Sequence, residues 1–295
     1  MKQENPLVSI GMPTYPGGLP TLKRAIDSVL GQTYRNIELV ITENPTKDGI
    51  HAAQALCEEY ARQDNCVKYL PHKKDVGVEA NYAAAFNNTQ GEYFCWVTSA
   101  NFLDKYFIEK CLARLRDDKE AVMAMSHTVH TNEEGEITHR LDPKDFVVSE
   151  RDLYSRLKQF ILMPWAGGKA MSFHGLWRRT ALGTDPGKEF NERLYADINF
   201  IFRRLALGPF LFVPEVLFFK VIRRGRESRE HEKLNFPRVF SALFGKSGRF
   251  TNAIPIQLAN TFFLLSIKTL PLLSRAKLLW FNCVAASRIL TRRRY

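Results

Sequence analysis

Short apolar runs alternate with helical periodicity through the first third of the chain. The runs have the length of buried strands, and the segments between them repeat apolar residues every three or four positions, as amphipathic helices do. The run at 93–97 is apolar throughout, which is typical of a central parallel strand covered on both faces. The predicted strands span 7–12, 37–42, 67–70 and 93–97, and the predicted helices span 19–32, 51–63 and 77–88.

This alternation predicts an α/β fold with a doubly wound, mostly parallel sheet flanked by helices. Ligands of such sheets bind outside the carboxyl ends of the strands. The rule selects three segments, 13–18, 43–49 and 98–104, because each follows a predicted strand. The chain continues with predicted helices up to 116, at 150–162 and at 195–207, predicted strands at 121–128 and 210–219, and a polar hairpin at 132–135.

The composition is that of an ordinary globular protein, with 45% hydrophobic and 25% charged residues, and it argues against disorder. The five cysteines show no spacing typical of a zinc site or a redox pair. The opening sequence MKQENPLVSI lacks the features of a signal peptide. We therefore expect reduced cysteines and a cytoplasmic protein.

The net charge of +11 is concentrated in the last part of the chain. Residues 220–295 contain 16 Lys and Arg against three acids, a local charge of +13, which leaves −2 for the first 219 residues. The longest charge-free run there, 250–267, contains several polar residues and is marginal for spanning a bilayer.

Apolar segments bordered by Lys and Arg predict a basic, amphipathic helical tail at 230–295 that lies on an anionic membrane surface. The expected location is therefore the inner face of the cell membrane. The alternative is a helical hairpin packed on the body of the protein or on a second copy in a homo-oligomer. Nucleic acid is not an expected partner, because the tail lacks a recognition element.

The segments VSIGMPTYPGG, GVEANYAAAFNNTQGEYFCWVTSANFLD and ADINFIFRRLALGPFLFVPEVLFF follow one another in order. Together they resemble the family 2 glycosyltransferases of bacterial surface-glycan synthesis, which have the GT-A fold. The resemblance implies a GT-A domain at 1–229, with a nucleotide-binding half at about 1–104 and an acceptor half at about 105–229.

The resemblance also implies positions for the nucleotide. Pro13, Thr14 and Tyr15 match the segment that lies against it, and Asp48 matches the close of the following loop. Glu43 stands where the family has an Asp that hydrogen-bonds the base. A carboxylate accepts from the imide N–H of uracil, so a UDP-sugar is the favoured donor. The alternative for Glu43 is a solvated loop acid.

The chain departs from the family at the D-x-D motif, whose acids hold a divalent cation on the donor diphosphate. These positions read Thr98-Ser99-Ala100-Asn101, and no acid follows before Asp104, which we interpret as a residue at a helix N-terminus. Magnesium and manganese prefer carboxylate oxygens. We therefore predict no metal ligands and at most weak binding of Mn²⁺ or Mg²⁺ with the diphosphate, and we assign Thr98 and Asn101 to the nucleotide.

A cation of the protein is one replacement for that metal. Basic residues follow the last predicted strand, where the family usually carries an Arg and a His that close over the diphosphate. Arginine binds phosphate oxygens bidentately and stabilises leaving-group charge. The predicted diphosphate clamp consists of Lys220, Arg223, Arg224 and Arg226; the alternative is a simple basic surface.

Asp197 matches the catalytic base of the family, which takes the proton of the acceptor hydroxyl in an inverting transfer. The alternative is a helix N-terminal acid favoured by the dipole. Trp165 and His174 lie in the region that lines the acceptor pocket in the resemblance, although core packing is equally expected. The glutamine-and-tryptophan motif of processive synthases is not evident, so we expect single additions.

Two functions remain open at this point. The first is an inverting glycosyltransferase that moves one sugar from a nucleotide diphosphate sugar to a glycan or lipid-linked acceptor at the membrane, without a D-x-D-bound metal. The second is an inactive GT-A pseudoenzyme that binds a nucleotide or a partner protein. Loss of the acids favours the second, and retention of Asp197 favours the first.

Overall fold

The computed structural model describes residues 5–163, 168–186, 196–222, 261 and 263–291. The strands are β1 Val8–Thr14, β2 Ile37–Glu43, β3 Val67–Pro71, β4 Tyr93–Trp96, β5 Asn101–Leu103, β6 Met123–Thr131, β7 Ile137–Arg140, β8 Leu176–Arg178 and β9 Phe210–Val221. The helices are α1 Leu19–Leu30, α2 Gln54–Gln63, α3 Val78–Asn87, α4 Phe107–Asp117, α5 Leu153–Leu162, α6 Arg179–Leu182, α7 Ala196–Arg204 and α8 Leu272–Thr291.

The sheet has the strand order β3-β2-β1-β4-β8-β6-β9-β5, with β7 paired to β6. Strands β3, β2, β1 and β4 are mutually parallel, as the alternating pattern predicts. Strand β8 is antiparallel to both β4 and β6, and β9 is parallel to β6. The carboxyl ends of β1, β2, β4, β6 and β9 therefore lie along one side of the sheet, which we call the carboxyl edge.

Helices cover both faces of the sheet, which confirms the doubly wound α/β prediction. Successive residues of β4 point to opposite faces, so both sides of this strand are buried. Phe94 and Trp96 belong to a core shared with α3, α5, α7 and α8, whereas Cys95 belongs to a core shared with α1 and α4. In the first core, the Trp96 ring stacks on Phe173 at 4.7 Å between ring centroids.

Two sequence predictions at the carboxyl edge need correction. The predicted strands include no part of the segment 98–104, but this segment contains β5, which pairs antiparallel with β9. A strand of three residues is too short for any periodicity to reveal it. In addition, β9 extends to Val221 rather than ending at Phe219, so Lys220 lies within the strand and not in a segment that follows it.

The described part of the predicted tail packs on the body of the protein. Helix α8 contacts α5, and Leu264, Leu270 and Leu278 are buried in the same core as Trp96. This matches one of the two alternatives for the tail; the outward face of α8 is considered below. Within the described ranges, no helix is both long and apolar enough to cross a bilayer. The predicted boundary at 229–230 lies outside those ranges.

Candidate active site at the carboxyl edge

The carboxyl edge collects most of the residues that the sequence singles out. Thr14 and Glu43 end the neighbouring strands β1 and β2 and are paired in register. Asn101 begins β5 opposite Lys220 of β9. A backbone hydrogen bond extends this pairing of β5 with β9, because the N–H of Val221 donates to the carbonyl oxygen of Ala100 at 2.8 Å. The end of β9 is thereby fixed against the turn that follows β4.

Two buried asparagines that the sequence analysis did not identify organise the end of β1. The Thr14 carbonyl oxygen accepts from the side-chain amide of Asn81 at 2.9 Å and from the Asn44 backbone N–H at 3.3 Å. The Asn44 side chain in turn donates to the Gly77 carbonyl oxygen at 3.0 Å. Gly77 has a φ of 83°, a conformation that favours glycine, and it immediately precedes α3.

The turn after β1 presses against the turn after β4. A Cβ on Gly18 would overlap the Ser99 hydroxyl and would lie 3.4 Å from the Thr14 hydroxyl oxygen, so only glycine fits. The Thr14 and Ser99 hydroxyl oxygens are both buried and have no hydrogen-bond partner within the described part of the chain. Tyr15, next along the chain, is partly exposed at the same edge.

Glu43 is fully buried, with 0% of its surface exposed, so the alternative of a solvated loop acid is wrong. One carboxylate oxygen accepts from the Ala53 backbone N–H at 2.9 Å, and the other accepts from the Tyr69 hydroxyl. His51 Nδ1 lies 3.7 Å from the second oxygen. Burial and the neighbouring Glu43 carboxylate raise the pKa of Tyr69, so its hydroxyl stays protonated as a donor.

These contacts give Glu43 a structural role whether or not it also hydrogen-bonds the base of a nucleotide. Each carboxylate oxygen has a second lone pair, so the present partners do not exhaust its accepting capacity. Asp48 lies near the tip of the loop that Glu43 anchors and is exposed, beside Gly49 with a φ of 78°. Its role at the nucleotide stays a prediction.

We expect the Glu43→Gln variant to lose about 1–3 kcal/mol of unfolding free energy, because its amide group would face donors at one of the two carboxylate positions. Urea denaturation followed by circular dichroism measures the change. The matched control is Glu58→Gln on α2, where the carboxylate is exposed and accepts from Gln54 one turn away. Equal stability of the two variants would contradict the anchoring role of Glu43.

The turn Thr98–Asn101 closes on itself. The Thr98 hydroxyl oxygen accepts from the Ala100 backbone N–H at 3.3 Å and from the Asn101 side-chain amide at 3.0 Å. Asp104 caps the turn before α4 by accepting from the Tyr106 backbone N–H at 2.9 Å, in agreement with its interpretation as a helix N-terminal residue. No carboxylate therefore faces the position of the D-x-D metal from this segment.

The donor set does not fit a divalent cation. The side-chain oxygens of this turn are the Thr98 hydroxyl, which is already engaged as an acceptor, the buried Ser99 hydroxyl and the Asn101 amide. All three groups are neutral, whereas Mg²⁺ and Mn²⁺ prefer carboxylates. Lys220 is the register partner of Asn101, and its charge opposes cation binding. Across the described ranges, no group of three or more His, Cys, Asp or Glu residues is placed to hold a metal.

Lys220 lies beside two histidines. His130 is its register neighbour on β6, and the His174 ring stacks on Phe218, two residues earlier on the same face of β9, at 5.4 Å between centroids. Burial lowers the pKa of His130 to about 4 and that of His174 to about 4, and the charge of Lys220 is a lesser cause of both shifts. Both rings are therefore neutral at pH 7.

The tautomer of His174 follows from its contact. His174 Nδ1 lies 3.1 Å from the Trp96 carbonyl oxygen, which can only accept, so Nδ1 carries the proton and Nε2 carries the lone pair. This contact places His174 at the end of β4, next to the Thr98–Asn101 turn. The predicted contact with an acceptor sugar remains a prediction.

Asp197 lies in the first turn of α7 and is partly buried. Its Oδ1 accepts from the Ile198 backbone N–H at 2.8 Å, which fixes the orientation of the carboxylate. Burial is the main cause that raises the pKa of the Tyr82 hydroxyl on α3, and electrostatic interactions with Tyr15 and Asp197 are lesser causes. Tyr15 of the β1 turn and Asp197 of α7 therefore each lie close enough to Tyr82 to interact with it electrostatically. Tyr82 is not among the site residues predicted from the sequence.

The remaining predicted site residues lie outside the described ranges; they are Trp165, Arg223, Arg224 and Arg226. Ile222, the residue before Arg223, donates its backbone N–H to the Thr131 carbonyl oxygen at 2.8 Å. The described range that ends at Ile222 thus stops at the carboxyl edge, one residue before Arg223 in the sequence.

Comparison with known proteins agrees with this arrangement. A family model described as Glycosyl transferase family 2 matches residues 9–180. The glycosyltransferases GlyA and GlyG of Streptococcus pneumoniae are 28% and 24% identical over 88 and 144 residues, which are 30% and 49% of this chain. These matches cover 12% and 46% of the two relatives, less than half of the length of either.

A solved structure with a similar fold is that of Staphylococcus aureus TarS 1–349. Its TM-score is 0.63 at 13% sequence identity, and the match covers 98% of this chain and 73% of that chain. The TarS 1–349 complex with UDP-GlcNAc gives a TM-score of 0.63 at 14% identity, covering 92% of this chain and 70% of that chain. At this identity the likeness concerns the fold alone, and it identifies the fold as GT-A.

Proposed function

The chain belongs to glycosyltransferase family 2, and we propose that it moves a single sugar, with inversion, from a UDP-sugar to a membrane-borne glycan or lipid-linked acceptor. The observation that carries the proposal is the placement of the β1 turn, Asn101 and Lys220 along the carboxyl edge. Asp197 is linked to the same turn through Tyr82, which interacts electrostatically with both Tyr15 and Asp197. That TarS was solved with UDP-GlcNAc and with UDP supports a uridine nucleotide.

Asp197 is the proposed general base. Its orientation is fixed by the Ile198 N–H, and an acceptor hydroxyl that attacks the anomeric carbon from the side opposite the diphosphate would lose its proton to this carboxylate. Tyr15 and Tyr82 would line the space between the base and the nucleotide. His174 and Trp165 are the proposed contacts of the acceptor.

Lys220 is the proposed replacement for the metal. A lysine held in a strand, opposite Asn101 and next to two neutral histidines, offers a positive charge at the point where the diphosphate leaves. Positive groups placed in advance stabilise leaving-group charge without reorganisation. Arg223, Arg224 and Arg226 would complete the clamp, and Pro13, Thr14, Glu43, Asp48, Thr98 and Asn101 would contact the nucleotide.

A second candidate function is that of a pseudoenzyme which binds a nucleotide or a partner protein without transfer. The observation in its favour is the absence of any acid in the Thr98–Asn101 turn. The same turn is compatible with catalysis if Lys220 supplies the charge. The two functions differ in one measurable respect, since only the first releases UDP from a UDP-sugar.

The experiment that separates them measures UDP release from a panel of UDP-sugars, with bacterial membranes as the source of acceptor and EDTA present throughout. The transferase releases UDP from at least one donor, and heating the protein abolishes the release. A chain that binds UDP by calorimetry but releases none from any donor is the pseudoenzyme. A chain that neither binds nor releases UDP contradicts both nucleotide-dependent functions.

A further inference from the structure

The exposed residues on the outward face of α8, together with two exposed residues of the segment just before it, are apolar and basic. We call this surface the α8 face and define it by four apolar residues and two lysines. The apolar members are Leu265, Leu272, Leu273 and Trp280, with 52%, 76%, 68% and 62% of their surfaces exposed. The basic members are Lys268 and Lys277, which are also exposed.

The opposite face of the helix is fixed to the body. Leu278 and Asn282 are buried, and the Asn282 side-chain amide donates to the Thr261 hydroxyl oxygen at 3.1 Å. The Lys158 ammonium of α5 lies 4.8 Å from the centroid of the Phe281 ring. At 100° per residue, positions 273, 277 and 280 point away from 278 and 282. The exposure is therefore a property of a helix that is already packed.

This composition favours a lipid surface. Tryptophan prefers the boundary between water and hydrocarbon, leucine enters the acyl region, and lysine is attracted to anionic headgroups. Residues 233–295 contain no Asp or Glu and 11 Lys and Arg, so no acid of this region offsets that attraction.

The same charges disfavour a second copy of the chain as the occupant. A symmetric dimer through the α8 face would bring Lys268 and Lys277 of one copy against the same patch of the other. Like charges across an interface oppose association, whereas an anionic lipid surface is complementary to them.

We propose that the α8 face docks the protein on anionic lipid, with Trp280 and the exposed leucines in the headgroup region and the two lysines against the phosphates. The proposal specifies the membrane contact that the proposed function requires for its acceptor. It rests on the α8 face alone, so it holds even for a chain that transfers no sugar.

The test is co-sedimentation of the full chain with phosphatidylcholine vesicles, with and without phosphatidylglycerol. We expect binding only to the anionic vesicles, with a shift of Trp280 fluorescence to shorter wavelength that is absent in the Trp280→Phe variant. Lys268→Gln with Lys277→Gln weakens binding roughly fivefold for each lysine. Leu273→Ser with Trp280→Ser weakens it by about tenfold or more.

Matched controls are Leu207→Ser, which removes an exposed leucine distant in sequence from α8, and Lys119→Gln, which removes an exposed lysine on the body; both bind like the wild type. Equal binding to neutral vesicles, no binding at all, or unchanged binding of the α8 variants overturns the proposal. So does a dimer, detected by light scattering, that the α8 variants lose, because it assigns the face to a second copy. Calorimetry with UDP on the same variants keeps this outcome separate from failure of the proposed function.

Discussion

We expect the Asp197→Asn variant to lose about 10²–10⁴-fold in kcat for sugar transfer, which is the usual contribution of a general base. The Kd for UDP should stay close to that of the wild type, because the carboxylate is proposed to act on the acceptor and not on the nucleotide. The fold should also be preserved, since the asparagine side-chain oxygen can still accept from the Ile198 N–H. Steady-state UDP release and calorimetry provide the two measurements.

The control for this prediction is Asp117→Asn, an exposed carboxylate at the end of α4. It should have wild-type kcat and Kd. If Asp197→Asn keeps the full kcat, then Asp197 is only a helix N-terminal acid, and the base must be sought elsewhere. If it loses UDP binding instead, then the carboxylate belongs to the donor site.

The second large effect concerns Lys220. We expect the Lys220→Met variant to lose about 10²–10³-fold in kcat, the cost of removing one preorganised group that stabilises leaving-group charge. Its Kd for UDP should also rise, because the same ammonium is proposed to face the diphosphate in the ground state. Lys220→Arg retains the charge and should recover part of both losses.

Lys220→Met also has a readout that does not depend on turnover. Lys220 contributes to lowering the pKa of His130 and His174, so its removal raises both pKa values. They should remain below the ordinary value of 6.5, since burial is the larger cause. Nuclear magnetic resonance titration of the histidine ring protons measures this shift. A Lys119→Met control leaves both pKa values unchanged.

A fall in kcat without movement of either histidine pKa would mean that the Lys220 ammonium lies away from His130 and His174. Unchanged kcat in Lys220→Met would remove it from the clamp altogether. The positive charge that stabilises the leaving diphosphate would then have to come from Arg223, Arg224 or Arg226. Single variants of these three arginines would distinguish among them.

The parallel half of the sheet could be predicted because each of its strands is a separate apolar run followed by a helix. The carboxyl-end rule then selected Thr14, Glu43 and Thr98 without reference to three-dimensional contacts. The second half of the sheet could not be predicted in the same way. The order β8-β6-β9-β5 depends on pairings between segments far apart in sequence, and β5 and β8 have only three residues each.

The hydrogen-bond partners of the site residues could not be predicted from the sequence for the same reason. Nothing local indicates that Glu43 is anchored by Tyr69 and Ala53, or that His174 donates to the Trp96 carbonyl oxygen. Asn44 and Asn81 are ordinary polar residues in the sequence, and only the fold makes them buried links to β1 and α3. The same holds for the tail. Its charge pattern can be read from the sequence, but which face of α8 is buried depends on tertiary contacts.

UDP binding by this chain is proposed to require no divalent cation. Calorimetric titration of UDP into the wild-type chain, once in EDTA and once in excess Mn²⁺, tests this proposal. We expect the same Kd in both titrations, because Lys220 and the neighbouring arginines are proposed to supply the positive charge that a metal held by the Thr98–Asn101 turn would otherwise provide. Binding that appears only with Mn²⁺ would contradict it.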